Sequence, residues 1–311
     1  MKILLVAEEA AGIQVLRRVA AWGHELAGVL TAPPTRGGGA TVAGVAESLG
    51  LSVEPSERVR EADLADEIRE RSVDLLLNVH SLFVIHEDVV AAPRIGSFNL
   101  HPGPLPEYAG LNAPSWAIYN GEERHAVTVH WMEPGIDTGA VAYEASFPLT
   151  EVDTGLSVSL RCVREGLPLL ERLLADAERD AVPAHAQDLS RRRYFGRQAP
   201  QDGLVEWSRT AREVVDFVRA CDYFPFPSPW GSPLASLDGD EVSILKAART
   251  GRATSGEPAG TVGGADDGAM AVAAADEWVS VQRVAVDGTP HDAVAVLRPG
   301  TRFLESPLLR R

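Results

Sequence analysis

Asn99 and His101 stand two residues apart in the run SFNLH, and Asp137 follows the histidine by 36 residues, in EPGIDTG. Side chains two apart on a strand leave the same face of a sheet, so an amide and an imidazole there would reach one bound atom together. Imidazole titrates closest to neutrality and suits proton transfer, and an asparagine amide can donate a hydrogen bond to a developing oxyanion. A carboxylate at Asp137, in a turn between two predicted strands, would orient His101 and support its protonated form. Such a trio offers acyl transfer without a protein nucleophile. Each residue also has a plain structural alternative. Asn99 could satisfy backbone groups at a strand end, His101 could be a capping core histidine, and Asp137 a turn former before Gly139. Spacing alone leaves these open.

The first half of the chain alternates strand and helix patterns, which predicts an α/β fold with a doubly wound, mostly parallel sheet. Residues 2–7, 25–31, 51–54 and 73–79 read as strands, with helices between them that include 42–49 and 59–71. Ligands of such sheets bind beyond the carboxyl ends of the strands. There SFNLH runs into HPGPLPEYAG, a loop stiffened by three prolines. The turn after the first strand, AEEAAG, lacks the Gly-x-Gly-x-x-Gly spacing that brings backbone against a pyrophosphate, which disfavours a nicotinamide dinucleotide. A helix over 112–120, strands over 125–132 and 140–147, and a long helix capped by Thr154 complete the larger unit. The expected division is a catalytic domain over residues 1–180, a linker over 181–205, and a carboxyl-terminal β-rich, OB-like domain over 206–311. Within the last, residues 250–267 are rich in Gly, Ala, Ser and Thr and read as a loop.

A chain of 311 residues accommodates two such domains. No apolar run reaches the roughly 18 to 20 residues that span a bilayer. The start, MKILLVAEEA, reads as a first strand and not a leader, so a cytoplasmic protein is expected. The formal charge of −15 argues against a partner gripped through many phosphates. The local exception is the run Arg191, Arg192, Arg193, either a solvated face or a phosphate contact. Cys162 and Cys221 match no metal or redox spacing and read as packed free thiols; no metal is expected.

Taken together, FNLHPGPLPEYAGLNAPSWAIYNGE and HAVTVHWMEPGIDTG resemble the signature of formyltransferases that use 10-formyltetrahydrofolate. The resemblance covers about residues 74–174 and extends more weakly to the first strand-helix unit and the carboxyl domain. It implies that a neutral amine attacks the formyl carbon of the folate. Asn99 and protonated His101 would stabilise the oxyanion, while His101 and Asp137 manage the amine's proton. It also implies that the pterin lies along two loops, which correspond here to Leu82, Phe83, Val84 and Ile85, and to Met132, Glu133, Gly135 and Ile136. Phe83, Val84 and Ile85 could equally be ordinary core.

Within this family the acceptor is a small amine or a charged initiator tRNA. The stretch TAPPTRGGGATVAG is short and holds only Arg36, where the tRNA enzymes carry a long basic loop. Residues 201–311 carry 11 Lys and Arg against 16 Asp and Glu, which sets tRNA second. Glu8 and Glu9 replace the phosphate loop of the glycinamide ribonucleotide enzymes, and the amino-terminal regulatory domain of the formyltetrahydrofolate hydrolases is not seen. NAPSWAIYNGE, RRYFGR and CDYFPFPSPWGSP are most similar to formylation enzymes of siderophore and nonribosomal peptide assembly. The expected acceptor is thus an amino acid such as hydroxyornithine, free or tethered to a carrier protein. An amino-sugar nucleotide is an alternative, and a non-catalytic folate-binding domain is the alternative of another class. Tyr194, Phe195, Tyr223, Phe224 and Trp230 are either substrate contacts or aromatic packing.

Overall fold

The run KILLVA forms β1 (Lys2–Ala7), an interior strand buried almost throughout because helices cover both faces of its sheet. The computed structural model describes residues 1–33, 40–81 and 83–304. After β1 come α1 (Glu9–Ala21), β2 (Glu25–Thr31), α2 (Val42–Ser48), β3 (Val53–Pro55), α3 (Leu64–Glu70), β4 (Leu75–Val79), α4 (Glu87–Val90) and β5 (Gly96–His101). Next are β6 (Ala109–Gly110), α5 (Ala113–Tyr119), β7 (Arg124–Trp131), β8 (Val141–Pro148), α6 (Gly155–Ala177) and β9 (Tyr194–Phe195). The sheet runs β3-β2-β1-β4-β5-β7-β8, parallel from β3 to β5, with β7 antiparallel to β5. This is the doubly wound α/β sheet that the alternating pattern predicts.

Period-two alternation divides the core between the faces. Leu4, Val6, Leu30 and Leu76 join Val59, Leu64, Ile68 and Val89 in one buried cluster. Burying each such side chain contributes roughly 1.5–3 kcal/mol. Ile3 and Leu5 are equally buried, and α1 buries Val15, Leu16 and Val19. Residues 59–71 do not make the single helix expected of them. Ser56–Arg60 is a turn of 3-10 helix, Glu61 is extended, and α3 begins at Leu64. The cause is tertiary, since the Val59 carbonyl accepts from the His86 N–H at 2.8 Å and is lost to helix propagation.

The chain divides into two compact units: Met1–Ala113, His125–Phe147 and Ser159–Tyr194 in the first, Pro114–Arg124, Pro148–Val158 and Phe195–Arg311 in the second. The second unit holds α7 (Ala211–Ala220), β10 (Leu234–Leu237), β11 (Asp240–Ala253), β12 (Val262–Asp266), β13 (Ala269–Ala273), β14 (Glu277–Val286), β15 (Thr289–Asp292), α8 (Ala293–Val296) and β16 (Phe303–Leu304). The sheet order is β12-β13-β14-β11-β10-β16, with β15 against β14. A bridge between Thr261 and Arg302 draws its two edges together. Helix α7 starts on a capping box, Thr210 with Glu213, and packs on β11.

Residues 250–267, expected as a loop, are a loop only over 254–261; their two ends belong to strands β11 and β12. Cross-strand pairing overrides their small-residue composition. Ala253 pairs with Glu277, and the Glu277 carboxylate accepts the Gly251 N–H at 2.6 Å. Cys162 and Cys221 are both buried and free. Burial pushes the Cys221 thiol up to about 12 and raises that of Cys162 as well, so both stay protonated. Among the described residues no helix is long and apolar enough to cross a membrane.

Candidate active site

Strand β5 lies between β4 and β7, and the register places Asn99 beside Asn78 on one side and His130 on the other. Three polar side chains therefore form a row across three adjacent strands. An amide buried without partners would be costly, so hydrogen bonds link the row, with Asn78 Oδ1 at its end left without a partner. The Asn78 amide donates to Asn99 Oδ1 at 3.0 Å, and Asn99 Nδ2 donates to His130 Nε2 at 3.1 Å. The partners fix the tautomer: His130 Nδ1 lies 2.8 Å from the Trp131 carbonyl, which only accepts, leaving Nε2 to receive the amide.

His101, two residues on, is 3% exposed. Its Nε2 donates to the Tyr108 carbonyl at 2.7 Å, and its Nδ1 lies 3.6 Å from Asp137 Oδ2. Asp137 reaches back from the turn between β7 and β8 in a left-handed conformation, φ 54°. Two residues later, Gly139 lets that turn close, because a Cβ there would sit 2.0 Å from the Trp131 carbonyl oxygen. Asp137 Oδ2 accepts the Gly110 N–H at 2.7 Å, and Oδ1 stands 3.4 Å from both Asn99 Nδ2 and His130 Nε2. The structure thus gathers Asn99, His101 and Asp137, residues read from sequence as one constellation, around a single carboxylate.

Burial pushes the His101 imidazole below its ordinary value, against the opposing pull of the Asp137 carboxylate and the Tyr108 carbonyl; His130 adds to the lowering. For Asp137, burial acts upward, but the charge that His101 and His130 carry when protonated and the Gly110 N–H prevail and hold the carboxyl well below the usual carboxylate range. At neutral pH this gives an ionised Asp137 beside an uncharged His101 whose proton is on Nε2. Nδ1 is the nitrogen left to accept a proton, and the imidazolium so formed is flanked by a carboxylate and a carbonyl.

The loop residues fall into different surroundings. Ile85 is part of the buried cluster under α3 and α4, and Phe83 and Met132 pack half-buried against it. Val84 is 66% exposed and Ile136 42%, with Glu133 and Gly135 also exposed. Leu82 lies outside the described residues, as does Arg36. A shallow groove of about 540 Å³ at the amino end of β5 takes in Met132 and Glu133 but none of Asn99, His101 and Asp137. Among the described residues no cluster of three or more His, Cys, Asp or Glu is arranged to hold a metal.

Sequence reasoning passed over Asn78, His130, His80 and Gln187. Asn78 was legible as the one polar residue in the strand LLLNV, and His130 as a histidine in the alternating run HAVTVHW. His80 follows β4 where His101 ends β5; burial, with the neighbouring His101, pushes it down to about 4. Gln187 donates to the carbonyls of Asp137 and Gly139, at 2.9 and 2.6 Å. The three arginines are tied to protein groups. Arg191 pairs with Glu107, Arg192 donates to the Ile136 carbonyl at 2.8 Å, and Arg193 lies 4.8 Å over the Tyr108 ring. In the second unit Phe195 stacks on Trp116 and Trp230 meets it edge-on, while Phe224 is 85% exposed.

Comparison with known proteins adds to this geometry. Residues 31–172, which contain the trio and its partners up to β8, match the family model for formyl transferase, and residues 198–298 match the model for the formyl transferase C-terminal domain. An N-formyltransferase of Helicobacter canadensis, solved with folinic acid and dTDP-3-aminofucose, is similar over 90% of this chain and 98% of its own, at 16% identity and TM-score 0.69. WlaRD, a sugar 3N-formyl transferase solved with dTDP and 5-N-formyl-THF, is similar over 98% of both chains at 14% identity and TM-score 0.67. HypX of Aquifex aeolicus, solved with tetrahydrofolic acid, is similar over 96% of this chain but 47% of its own, at 19% identity and TM-score 0.66. At such identities the likeness to each is one of fold. The two family matches cover both the site-bearing sheet and the carboxyl-terminal β-rich part, and on them the chain belongs to the formyl transferase family.

Proposed function

We propose that this protein is an N-formyltransferase that moves the formyl group of 10-formyltetrahydrofolate to the primary amine of a small metabolite. The observation that carries the reading is the buried network of Asn99, His101 and Asp137 within the formyl transferase match. The folate supplies the electrophilic formyl carbon. Asn99 offers its Nδ2 hydrogens to the charge that develops on the formyl oxygen, giving up the long 3.4 Å contact to Asp137. His101 Nδ1 takes the proton of the attacking amine, Asp137 steadies the resulting imidazolium, and the proton then passes to N10 of the folate as the formyl carbon–N10 bond breaks and tetrahydrofolate leaves. Val84 and Ile136, apolar and exposed, fit the flat face of a pterin, as do Phe83 and Met132 where they reach the surface. A non-catalytic folate-binding domain has no use for a carboxylate held ionised against a buried imidazole.

For the acceptor, the sequence ranks an amino acid such as hydroxyornithine first. The structural neighbours favour the alternative, because one is a sugar 3N-formyl transferase by description, another was solved with dTDP-3-aminofucose, and both match over nearly their whole length. We therefore put an amino-sugar nucleotide ahead of the amino acid, and both ahead of tRNA. We assign catalysis to residues 1–180, with 181–205 as a connection to the part beginning at 206. Formyl transfer measured side by side with a dTDP-amino sugar, hydroxyornithine and charged initiator tRNA tests the ranking. The highest kcat/KM is expected with the amino sugar, and a preference for either other acceptor would reverse it.

A further inference from the structure

We propose that residues 187–193, a stretch the sequence reads as linker, form a strap that holds Asp137 against His101, with Gln187 as its positioning residue. The consequence for catalysis rests on the formyl-transfer reading above; the geometry does not. Asp137 occupies a left-handed backbone conformation, which aspartate tolerates but which does not by itself set where the turn sits, and neighbouring segments hold it. The Gln187 amide grips both ends of the Asp-Thr-Gly segment through the carbonyls of Asp137 and Gly139. Arg192 holds the carbonyl just before it, that of Ile136.

The same strap is bonded to the proline loop. The Ala109 N–H donates to the Arg193 carbonyl at 3.1 Å, and the Arg193 N–H to the Pro106 carbonyl at 3.3 Å. β6 pairs with β9, which directly follows the strap, and this fixes Gly110, whose N–H holds Asp137 Oδ2. One segment therefore grips both supports of His101, the Asp137 carboxylate on Nδ1 and the loop that presents the Tyr108 carbonyl to Nε2. The charged and titratable groups facing His101 are Asp137 from the β7–β8 turn, His130 from β7 and His80 after β4. Of these groups Asp137 alone favours the imidazolium, alongside the Tyr108 carbonyl on Nε2. Loosening the Asp137 turn should leave only that carbonyl against the two imidazoles and burial, and His101 should become harder to protonate.

The test compares the full chain with Gln187→Met, which removes the donors, and Gln187→Asn, which keeps the uncharged amide on a side chain one methylene shorter. The imidazole resonances are titrated by NMR, with His101 assigned from a His101→Ala variant, and kcat, KM and Tm are measured alongside. In Gln187→Met the His101 midpoint is expected to fall by about half a unit or more. There kcat should drop about 10-fold with the folate KM within about 2-fold, and Gln187→Asn should show smaller losses of both. If Gln187→Met does not fold, Arg192→Met takes its place with the same expected shift. An unmoved His101 midpoint in the donor-removing variant, or losses in Gln187→Asn equal to those in Gln187→Met, overturns the proposal. If the midpoint moves as expected but the unmodified protein transfers no formyl group to any acceptor, the functional reading fails and the strap stands.

Discussion

His101 lies between a carbonyl that accepts from Nε2 and a carboxylate that faces Nδ1, and burial opposes its charge until a proton arrives. The role of Asn99 follows from the same network. Its oxygen is held by Asn78, so its hydrogens are aimed and cannot flip away. Asn99→Ala should lower kcat about 10²- to 10³-fold with little change in folding; steady-state rates and Tm check this together. His80 permits a prediction about stability. Its pKa is depressed in the folded protein from an ordinary 6.5 to about 4, so below pH 6.5 the unfolded chain binds the proton first. The stabilising contribution is complete above pH 6.5 and is lost as the pH falls toward 4. His80→Asn, a residue tolerant of the left-handed φ of 61° found there, should make Tm less sensitive to pH over that window. His24 and His101, also lowered, keep some slope in the variant. Equal slopes in both proteins would contradict the assignment.

At the scale of elements, β5 and its register do most to assemble the site. That Asn99 and His101 share a face was legible from their spacing of two. That Asn78 and His130 flank Asn99 was not, because register is set by pairing between strands distant in sequence. The same limit explains residues 59–71, where a hydrogen bond to His86 ends a helix that periodicity alone would continue. It explains β11 too, since small residues take strand form from their partner β14. Gln187 gave no signal, because a glutamine that works by bonding backbone carbonyls looks like any surface glutamine in sequence. The turn carrying Asp137 yields a direct test. Gly139→Ala places a Cβ against the Trp131 carbonyl, at 2.0 Å before any shift, and must displace the turn. A loss of roughly 1–3 kcal/mol is expected, with activity falling further than stability alone accounts for; denaturant unfolding alongside kcat reads both.

At the scale of the whole molecule, the charge of −15 and the acidic balance of residues 201–311 argue for an acceptor other than nucleic acid. Uncharged bulk tRNA should therefore not inhibit transfer to a small amine at about physiological salt, and competitive inhibition would point to a polyanion groove. The site-bearing unit supplies every residue of the network described here, from Asn78 to Gln187. The central claim is that formyl transfer from 10-formyltetrahydrofolate runs through Asn99, His101 and Asp137. It is tested most directly by following tetrahydrofolate release and formylated amine together in the unmodified protein, His101→Ala and Asp137→Asn. The account predicts equal amounts of both products from the unmodified protein and a loss of about 10²-fold or more in each variant. Turnover in the two variants at the unmodified rate would contradict it.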